Sequence, residues 1–247
     1  MSDSEIVTAG LLVIGDEILS GRTKDQNIAA IAARLTAVGI RLIEVRVVAD
    51  DEAAIIAAVD ALRRRYTYLF TTGGIGPTHD DITADSIAKA FGVVIDVDPR
   101  AVALMQPYYE SRGLELTPAR LRMARIPSGA ELVANSVSVA PGFRIANVIV
   151  LAGVPSVMQA MLEEVLPTLA TGARMLSRSI EVARPESEIA GLLAAHQRAN
   201  PDVTMGSYPW YREGQVGTEL VLRSIDAERL EEVFSQLRLT LSDHSLI

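Results

Sequence analysis

The segment Thr71-Thr72-Gly73-Gly74-Ile75-Gly76-Pro77-Thr78 carries the most structural information in the sequence. An apolar run at 66–72 has the composition of a buried strand, and a segment with helical periodicity follows at about 83–91. Three glycines in four positions allow the backbone to approach a ligand and to direct N–H groups toward it. The segment therefore predicts an anion-binding loop between a strand and a helix. We refer to residues 73–81 as the glycine loop.

Strand and helix patterns alternate on both sides of the glycine loop. This alternation predicts a mostly parallel sheet with helices on both faces, so we expect a three-layer α/β/α fold. Pro107 is expected to kink or split the helix that begins after Asp98, and residues 136–145 are expected to form an extended arm. The patterns predict strands at 8–14, 40–48, 66–72, 93–97 and 147–151, and helices that begin near Asn27, Asp51, Thr83, Asp98, Thr117 and Pro155.

The pattern changes at residues 167–174, which have the composition of a domain boundary. Beyond them the sequence predicts strands at 179–183, 203–208 and 217–224 and helices at 187–200 and about 226–239. This β-α-β-β-α order predicts a small α+β domain. We therefore expect two domains, residues 1–170 and residues 175–247.

The composition excludes several classes of function. Because the chain has no cysteine, it has no disulfide, no catalytic thiolate and no cysteine-based zinc site. The formal net charge of -8 opposes binding to nucleic acid, since an acidic chain repels the phosphate backbone. No apolar run approaches the roughly 20 residues that span a bilayer, and the first five residues lack the basic charge of a secretory signal. We expect a cytoplasmic protein without nucleic-acid or membrane partners.

Three loops follow predicted strands, and ligands of parallel sheets gather at the carboxyl ends of the strands. They are the first loop (residues 15–27), the glycine loop, and the third loop (residues 152–155), which offers backbone donors only. Thr72 and Thr78 offer hydroxyl donors, while Asp80 and Asp81 place two carboxylates beside a predicted phosphate. Two acids next to an anion favour a divalent cation between them. The alternative is an ordinary tight turn in which Asp81 or Thr83 caps the following helix.

Acidic and amide side chains add further candidates. Asp16 and Glu17 in the first loop point to opposite sides if the strand continues, so only one of them faces the pocket. Asp50 ends the next strand and is expected to face the same pocket, unless it caps a helix beside Asp51. Asn27 is a candidate ligand contact, and capping of its own helix is the equal alternative.

Three motifs, in this order, resemble the molybdopterin-binding (MoaB/Mog) domain. They are Gly15-Asp16-Glu17-Ile18-Leu19 with Asn27, residues 72–78 with Asp80-Asp81-Ile82-Thr83, and Gly153-Val154-Pro155. The chain is more similar to the amino-terminal part of the competence/damage-inducible protein A (CinA) family, which residues 127–130, Asn135 and residues 140–143 also resemble. The resemblance covers roughly residues 11–169 and implies a MoaB/Mog-like fold for the first domain. Ala152 departs from it, because the family usually has proline there.

The second domain resembles the small KH-like domain of CinA-like proteins, through residues 206–209 and 219–224. A KH nucleic-acid site needs a G-x-x-G loop between two helices. Here Gly214-Gln215-Val216-Gly217 lies in a predicted hairpin turn, so no nucleic-acid site is expected. Longer family members carry an amidase domain at the carboxyl terminus, which is expected to be lacking in this chain, so the resemblance does not imply amidase activity.

For function, the resemblance implies metal-dependent hydrolysis of a dinucleotide pyrophosphate of ADP-ribose or FAD type. We expect Asp81, Asp50 and Glu17 to be catalytic, with Mg²⁺, Mn²⁺ or Co²⁺ on Asp80 and Asp81. The alternatives are molybdopterin binding or adenylation in molybdenum-cofactor biosynthesis, and a non-catalytic nucleotide sensor. A homo-oligomer is expected, with a dimer through the arm at 136–145 favoured. The residues expected to bind the ligand are Asp16, Asn27, Thr72, Gly73, Gly74, Gly76, Pro77, Thr78, Gly153 and Pro155.

Overall fold

The computed structural model describes residues 6–247, and the chain divides into two compact units, Met1–Gly172 and Ala173–Ile247. The strands of the first unit are β1 (Val7–Ile14), β2 (Ile40–Val48), β3 (Tyr68–Thr72), β4 (Ile95–Val97), β5 (Arg125–Pro127), β6 (Glu131–Val133), β7 (Gly142–Ile145) and β8 (Val148–Leu151). Its helices are α1 (Asp16–Leu19), α2 (Asn27–Ala37), α3 (Glu52–Arg65), α4 (Thr83–Phe91), α5 (Pro99–Glu110), α6 (Pro118–Leu121) and α7 (Pro155–Val165).

The main sheet of the first unit has six strands in the order β2-β1-β3-β8-β7-β6. The first four are parallel to one another, whereas β7, near one edge, pairs antiparallel with both β8 and β6. Strands β4 and β5 form a separate antiparallel pair. The prediction of a mostly parallel sheet is confirmed.

Apolar side chains fill both faces of this sheet. Because successive side chains of a strand point to opposite faces, Leu11 packs into one cluster and Leu12 into the other. The first cluster includes Ile31 of α2 and Met158 of α7, and the second includes Ile55 of α3 together with buried residues of α4 and α5. Helices therefore cover both faces, which confirms the three-layer architecture.

Two local expectations for the first unit differ from the structure. Helix α5 continues through Pro107 to Glu110, so the predicted split is wrong, while a kink at Pro107 stays a prediction. Pro107 lies in the last turn, where few further backbone bonds depend on a regular helix. Residues 136–145 do not form an extended arm, because residues 135–140 make a turn and β7 pairs with both β6 and β8 inside the sheet. A dimer through these residues, like the oligomeric state itself, stays a prediction.

The second unit is formed by β9 (Leu176–Val182), α8 (Glu186–Ala199), β10 (Thr204–Arg212), β11 (Gln215–Ser224) and α9 (Ala227–Asp243). Its antiparallel sheet has the order β10-β11-β9. Leu220 and Leu222 alternate inward on β11 and meet Leu193 of α8 and Leu237 of α9 in a separate core. The predicted β-α-β-β-α order is confirmed.

The turn between β10 and β11 also agrees with the sequence. Glu213 and Gly214 have φ values of 50° and 81°, as a two-residue hairpin turn of the I′ type requires. The G-x-x-G pattern that begins at Gly214 therefore belongs to a hairpin. No helix within residues 6–247 is both long and apolar enough to cross a membrane.

Candidate functional site

The three loops predicted to bind ligand meet in one cavity of the first unit. Strands β1, β3 and β8 are neighbours in the parallel part of the sheet, so the loops after their carboxyl ends lie side by side. The cavity has a volume of about 560 Å³. Among its lining residues are Gly15, Glu17, Asp50, Gly73, Gly74, Gly76, Pro77, Asp80, Asp81, Gly153 and Pro155. The structure thus brings together ten of the predicted site residues at one place.

Glycine is required where the loops touch one another. Gly73 has a φ of 99°, and a Cβ there would lie 2.1 Å from the carbonyl oxygen of Ile14. Gly74 has a φ of 66°, and its Cβ would lie 2.2 Å from the Oγ1 of Thr83. A Cβ on Gly153 would be 3.2 Å from the Cα of Gly73, so the glycine loop and the third loop pack backbone against backbone. The cavity wall here consists of main chain rather than side chains.

The glycine loop carries main-chain donors without acceptors among residues 6–247 at the cavity wall. Thr83, the first residue of α4, fixes the loop by two hydrogen bonds. Its Oγ1 donates to the oxygen of Gly73 at 2.9 Å, and its N–H donates to the oxygen of Gly74 at 3.0 Å. With these carbonyls turned toward α4, the N–H groups of Gly74, Ile75 and Gly76 have no acceptor among residues 6–247. Successive free N–H groups form an anion-binding concavity.

A second set of donors comes from the third loop. Met158 makes the first backbone bond of α7, to the oxygen of Val154 at 2.9 Å. The N–H groups of Gly153 and Val154 have no acceptor within the described part of the chain. The positive end of the dipole of α7, an eleven-residue helix, adds to these donors. Since Gly153 abuts Gly73, the two sets of donors border the same space.

Asp81 has a structural role in the glycine loop. Its Oδ2 accepts hydrogen bonds from the N–H of Thr78 at 2.8 Å and from the Oγ1 of Thr78 at 2.5 Å. The carboxylate also lies against Gly76, where a Cβ would be 2.6 Å from Oδ2. Both the N–H and the hydroxyl of Thr78 therefore donate to Asp81. The carboxylate therefore closes a turn and still lines the cavity. The alternative in which Asp81 or Thr83 caps α4 is wrong, because Ile82 is at the N-cap position and no side chain of the described residues caps this helix.

Asp50 is an acid of the cavity whose surroundings raise its pKa. Its Oδ2 accepts the N–H of Asp16 at 3.0 Å. Burial raises the pKa of Asp50, and the negative charges of Asp16, Glu17 and Asp80 raise it further, while the hydrogen bond from Asp16 opposes these effects. Asp51, not Asp50, caps α3, because its Oδ1 accepts the N–H of Ala54 at 2.8 Å. Asp50 is therefore left to face the cavity, as predicted.

The carboxylates do not form a finished metal site. Residues 6–247 contain no group of three or more His, Asp or Glu side chains arranged to hold an ion. Asp80 is exposed, and one oxygen of Asp81 is engaged by Thr78. This donor set suits an ion such as Mg²⁺, which is commonly held by one or two carboxylates with the remaining oxygens supplied by water and ligand phosphate. The metal on Asp80 and Asp81 stays a prediction.

Four of the predicted ligand contacts lie outside the cavity wall: Asp16, Asn27, Thr72 and Thr78. Asn27 does not cap α2, since Asp25 accepts the N–H of Ile28 at 2.8 Å. Instead its Nδ2 donates to the oxygen of Gly153 at 2.8 Å and so orients the third loop. The buried Thr72 has no partner for its hydroxyl among the described residues. Direct ligand contact by these four residues stays a prediction.

Part of the cavity wall was not anticipated from the sequence. Met123, Val157 and Met161 add apolar side chains to the wall, which suits an apolar part of a ligand such as a ring. Ser138 and Pro141 come from the turn at 135–141, which Asn135 holds through four hydrogen bonds. Only the Ala140-Pro141 pair carried a signal, because it belongs to a motif of the CinA-like resemblance.

Comparison with known proteins agrees with this architecture. Residues 10–171 match the family model described as "Probable molybdopterin binding domain", and residues 174–247 match "FAD synthase, middle domain". A protein of Aeropyrum pernix is 36% identical over 86% of this chain and 82% of its own length. A CinA-like protein of Desulfosudis oleivorans is 37% identical over 80% of this chain, but this chain spans only 51% of that relative.

One solved structure is close in both sequence and fold. The crystal structure of the protein CinA, of unknown function, from Thermoplasma acidophilum is 35% identical, with a TM-score of 0.60. The match covers 65% of this chain and 96% of that one. The chain therefore belongs to the family of probable molybdopterin-binding domain proteins and is CinA-like within it.

Proposed function

We propose that the cavity binds a phosphorylated nucleotide- or pterin-type molecule, with a phosphate on the N–H groups of Gly74, Ile75 and Gly76. The observation that carries this proposal is that Gly74, Ile75 and Gly76 line a cavity of about 560 Å³ and that their N–H groups have no acceptor among residues 6–247. The apolar side chains of Met123 and Met161 in the same wall would contact the ring. The family description, which names molybdopterin, supports the same ligand class.

A pyrophosphate suits the cavity better than a single phosphate. The N–H groups of Gly153 and Val154 offer a second anion site next to the first, because Gly153 and Gly73 are in contact. Two adjacent phosphates would each then meet main-chain donors. This favours a dinucleotide pyrophosphate of ADP-ribose or FAD type, and the match of residues 174–247 to the middle domain of FAD synthase points to the same class.

Asp50 is placed to promote hydrolysis of such a pyrophosphate. In the proposed reaction, a water oxygen bonds to one phosphorus and the bridging P–O bond breaks, which leaves two phosphomonoesters. Asp50, or Glu17 beside it, orients the water and takes its proton. The N–H groups of Gly74 to Gly76 stabilise the charge that develops on the phosphate oxygens. Mg²⁺, Mn²⁺ or Co²⁺ near Asp80 and Asp81 would neutralise further charge.

A turnover assay tests the enzymatic part of the proposal. ADP-ribose, FAD and NAD would be offered separately with each of the three metals, and release of AMP would be measured. We expect metal-dependent release that falls at least about 100-fold in Asp50→Asn. Asp51→Asn is the matched control, because asparagine also caps helices and residue 51 does not line the cavity.

The second candidate function is binding or adenylation of molybdopterin. The family description names molybdopterin, and the apolar residues of the wall suit a pterin ring as well as a nucleotide base. A screen of thermal unfolding separates the two: a shift with molybdopterin and none with ADP-ribose would favour the pterin. Stabilisation by ADP-ribose without release of AMP in any metal would contradict hydrolysis and leave a nucleotide sensor.

A further inference from the structure

The charged side chains that line the cavity are all acidic. Glu17, Asp50, Asp80 and Asp81 line it, and within residues 6–247 no lysine or arginine does. Such a wall repels a phosphate, so the neutral N–H donors act against an unfavourable field. A basic side chain that favours the anion must therefore lie outside the cavity wall.

Arg122 lies in that position. It belongs to the short 3-10 turn Arg122–Ala124 that follows α6. Its Nη2 donates to the main-chain oxygen of Asp81 at 3.2 Å. Together with Gly74, Gly76 and Asp81 it borders a small cavity of about 10 Å³ next to the glycine loop. Arg122 does not line the larger cavity, so its guanidinium contacts the loop from outside the wall around the predicted ligand.

The Arg122 guanidinium is not paired directly with a carboxylate of residues 6–247, although Asp81 and Asp85 border the same small cavity. The neighbouring Arg125 is paired with both carboxylate oxygens of Asp85 at 2.7 Å. Arg122 forms no ion pair within 4.0 Å with any residue of 6–247, and its Nε is buried without an acceptor there. A partly buried cation without a direct counterion is unfavourable in the free protein, and an anion bound at the glycine loop would reduce this cost.

We propose that Arg122 is a positioning residue for the phosphate site. It fixes the main chain at Asp81, and its unpaired charge acts through the glycine loop on the phosphate that the loop holds. This inference rests on the proposed function, because it assumes a phosphorylated ligand on the N–H groups of Gly74 to Gly76. It adds the source of the positive field that the acidic cavity lacks.

The test compares a charged with an uncharged ligand in the full-length protein. Dissociation constants for AMP, inorganic pyrophosphate and adenosine would be measured by calorimetry for the wild type, Arg122→Met, Arg122→Lys and Arg122→Gln. We expect Arg122→Met to raise the dissociation constants of AMP and pyrophosphate about 10-fold, and that of adenosine less than about 2-fold. Lysine should recover part of the loss, and the difference between wild type and Arg122→Met should shrink as KCl is raised.

Arg120→Met serves as the control, since the Arg120 guanidinium stacks on Tyr109 at 4.6 Å and does not border the glycine loop. If Arg122→Met does not fold, Arg122→Gln, which keeps hydrogen-bonding capacity without charge, replaces it. Equal losses for AMP and adenosine, or no loss for either, would overturn the role of the charge while leaving the proposed function intact. A wild-type protein that binds neither AMP nor pyrophosphate would overturn both.

Discussion

At the level of single residues, the cavity depends on glycines, because they have no Cβ. Gly73 and Gly74 accept conformations and contacts that a side chain would forbid, and this much follows from the sequence because three glycines stand after a strand. The bonds that fix the loops do not follow from it. Asn27 reaches Gly153 across 126 positions, and the Thr78–Asp81 contact depends on the closed shape of the turn. Such pairs are set by tertiary structure, not by local pattern.

Substitution of Gly73 by alanine should strongly destabilise the first unit. The added Cβ would lie 2.1 Å from the oxygen of Ile14, at a φ of 99°. We expect a loss of about 2–4 kcal/mol in the free energy of unfolding, measured by urea titration. Gly21→Ala is the control, because Gly21 also has a positive φ, 72°, but has nothing within 4 Å of its Cβ position. An equal loss in both variants would mean that only backbone strain matters.

Asp50→Asn should stabilise the fold near neutral pH while it impairs catalysis. The pKa of Asp50 is raised above its ordinary value of 3.8, so the folded state disfavours the ionised carboxylate that exists at neutral pH. Folding is favoured by this group when it is protonated, and that advantage is lost as the pH rises through its folded pKa. The variant's gain in unfolding midpoint should therefore be largest at pH 7 and fade toward pH 4. A constant gain across this range would contradict the raised pKa.

At the level of helices and strands, the sequence predicted the regular elements and missed the irregular ones. Strands β1, β2, β3 and β8 follow from apolar runs between turn residues, since a parallel sheet buries both faces of its strands. The turn at 135–141 could not be predicted from the sequence pattern. Its shape comes from Asn135, and Val139 has a φ of 60°, which a β-branched residue rarely adopts. No periodicity encodes such a turn.

Replacement of Asn135 by alanine should open this turn. The side chain accepts from the N–H groups of Val137 and Ser138 and donates to the Ser138 hydroxyl and the oxygen of Ala140. Loss of these bonds at a buried site should cost about 2–3 kcal/mol and weaken ligand binding, because Ser138 and Pro141 line the cavity. Ser136→Ala, at an exposed position of the same turn, should change neither. Unfolding curves and ligand titrations of both variants check this.

At the level of the whole molecule, two units with separate cores share one chain. Every residue that lines the cavity of about 560 Å³ belongs to the first unit, Met1–Gly172. The β-α-β-β-α order of the second unit was readable from sequence because its strands and helices are amphipathic. Its role was not readable, because its chemistry-bearing residues form no recognisable motif.

Binding should therefore survive removal of the second unit. A fragment that comprises Met1–Gly172 should bind AMP with a dissociation constant within about 2-fold of that of the full chain, measured by calorimetry. Circular dichroism of the fragment is the control for folding. A folded fragment with affinity reduced 10-fold or more would show that the second unit contributes to ligand binding.

The most direct test of the central claim is a two-dimensional ¹H–¹⁵N NMR titration of the protein with ADP-ribose. If the ligand phosphate sits on the glycine loop, the amide protons of Gly74, Ile75 and Gly76 should move downfield as they gain a charged acceptor, with those of Gly153 and Val154 following. The hairpin amides around Gly214 should stay unchanged. Saturable binding that leaves the Gly74 to Gly76 amides in place would contradict the phosphate site.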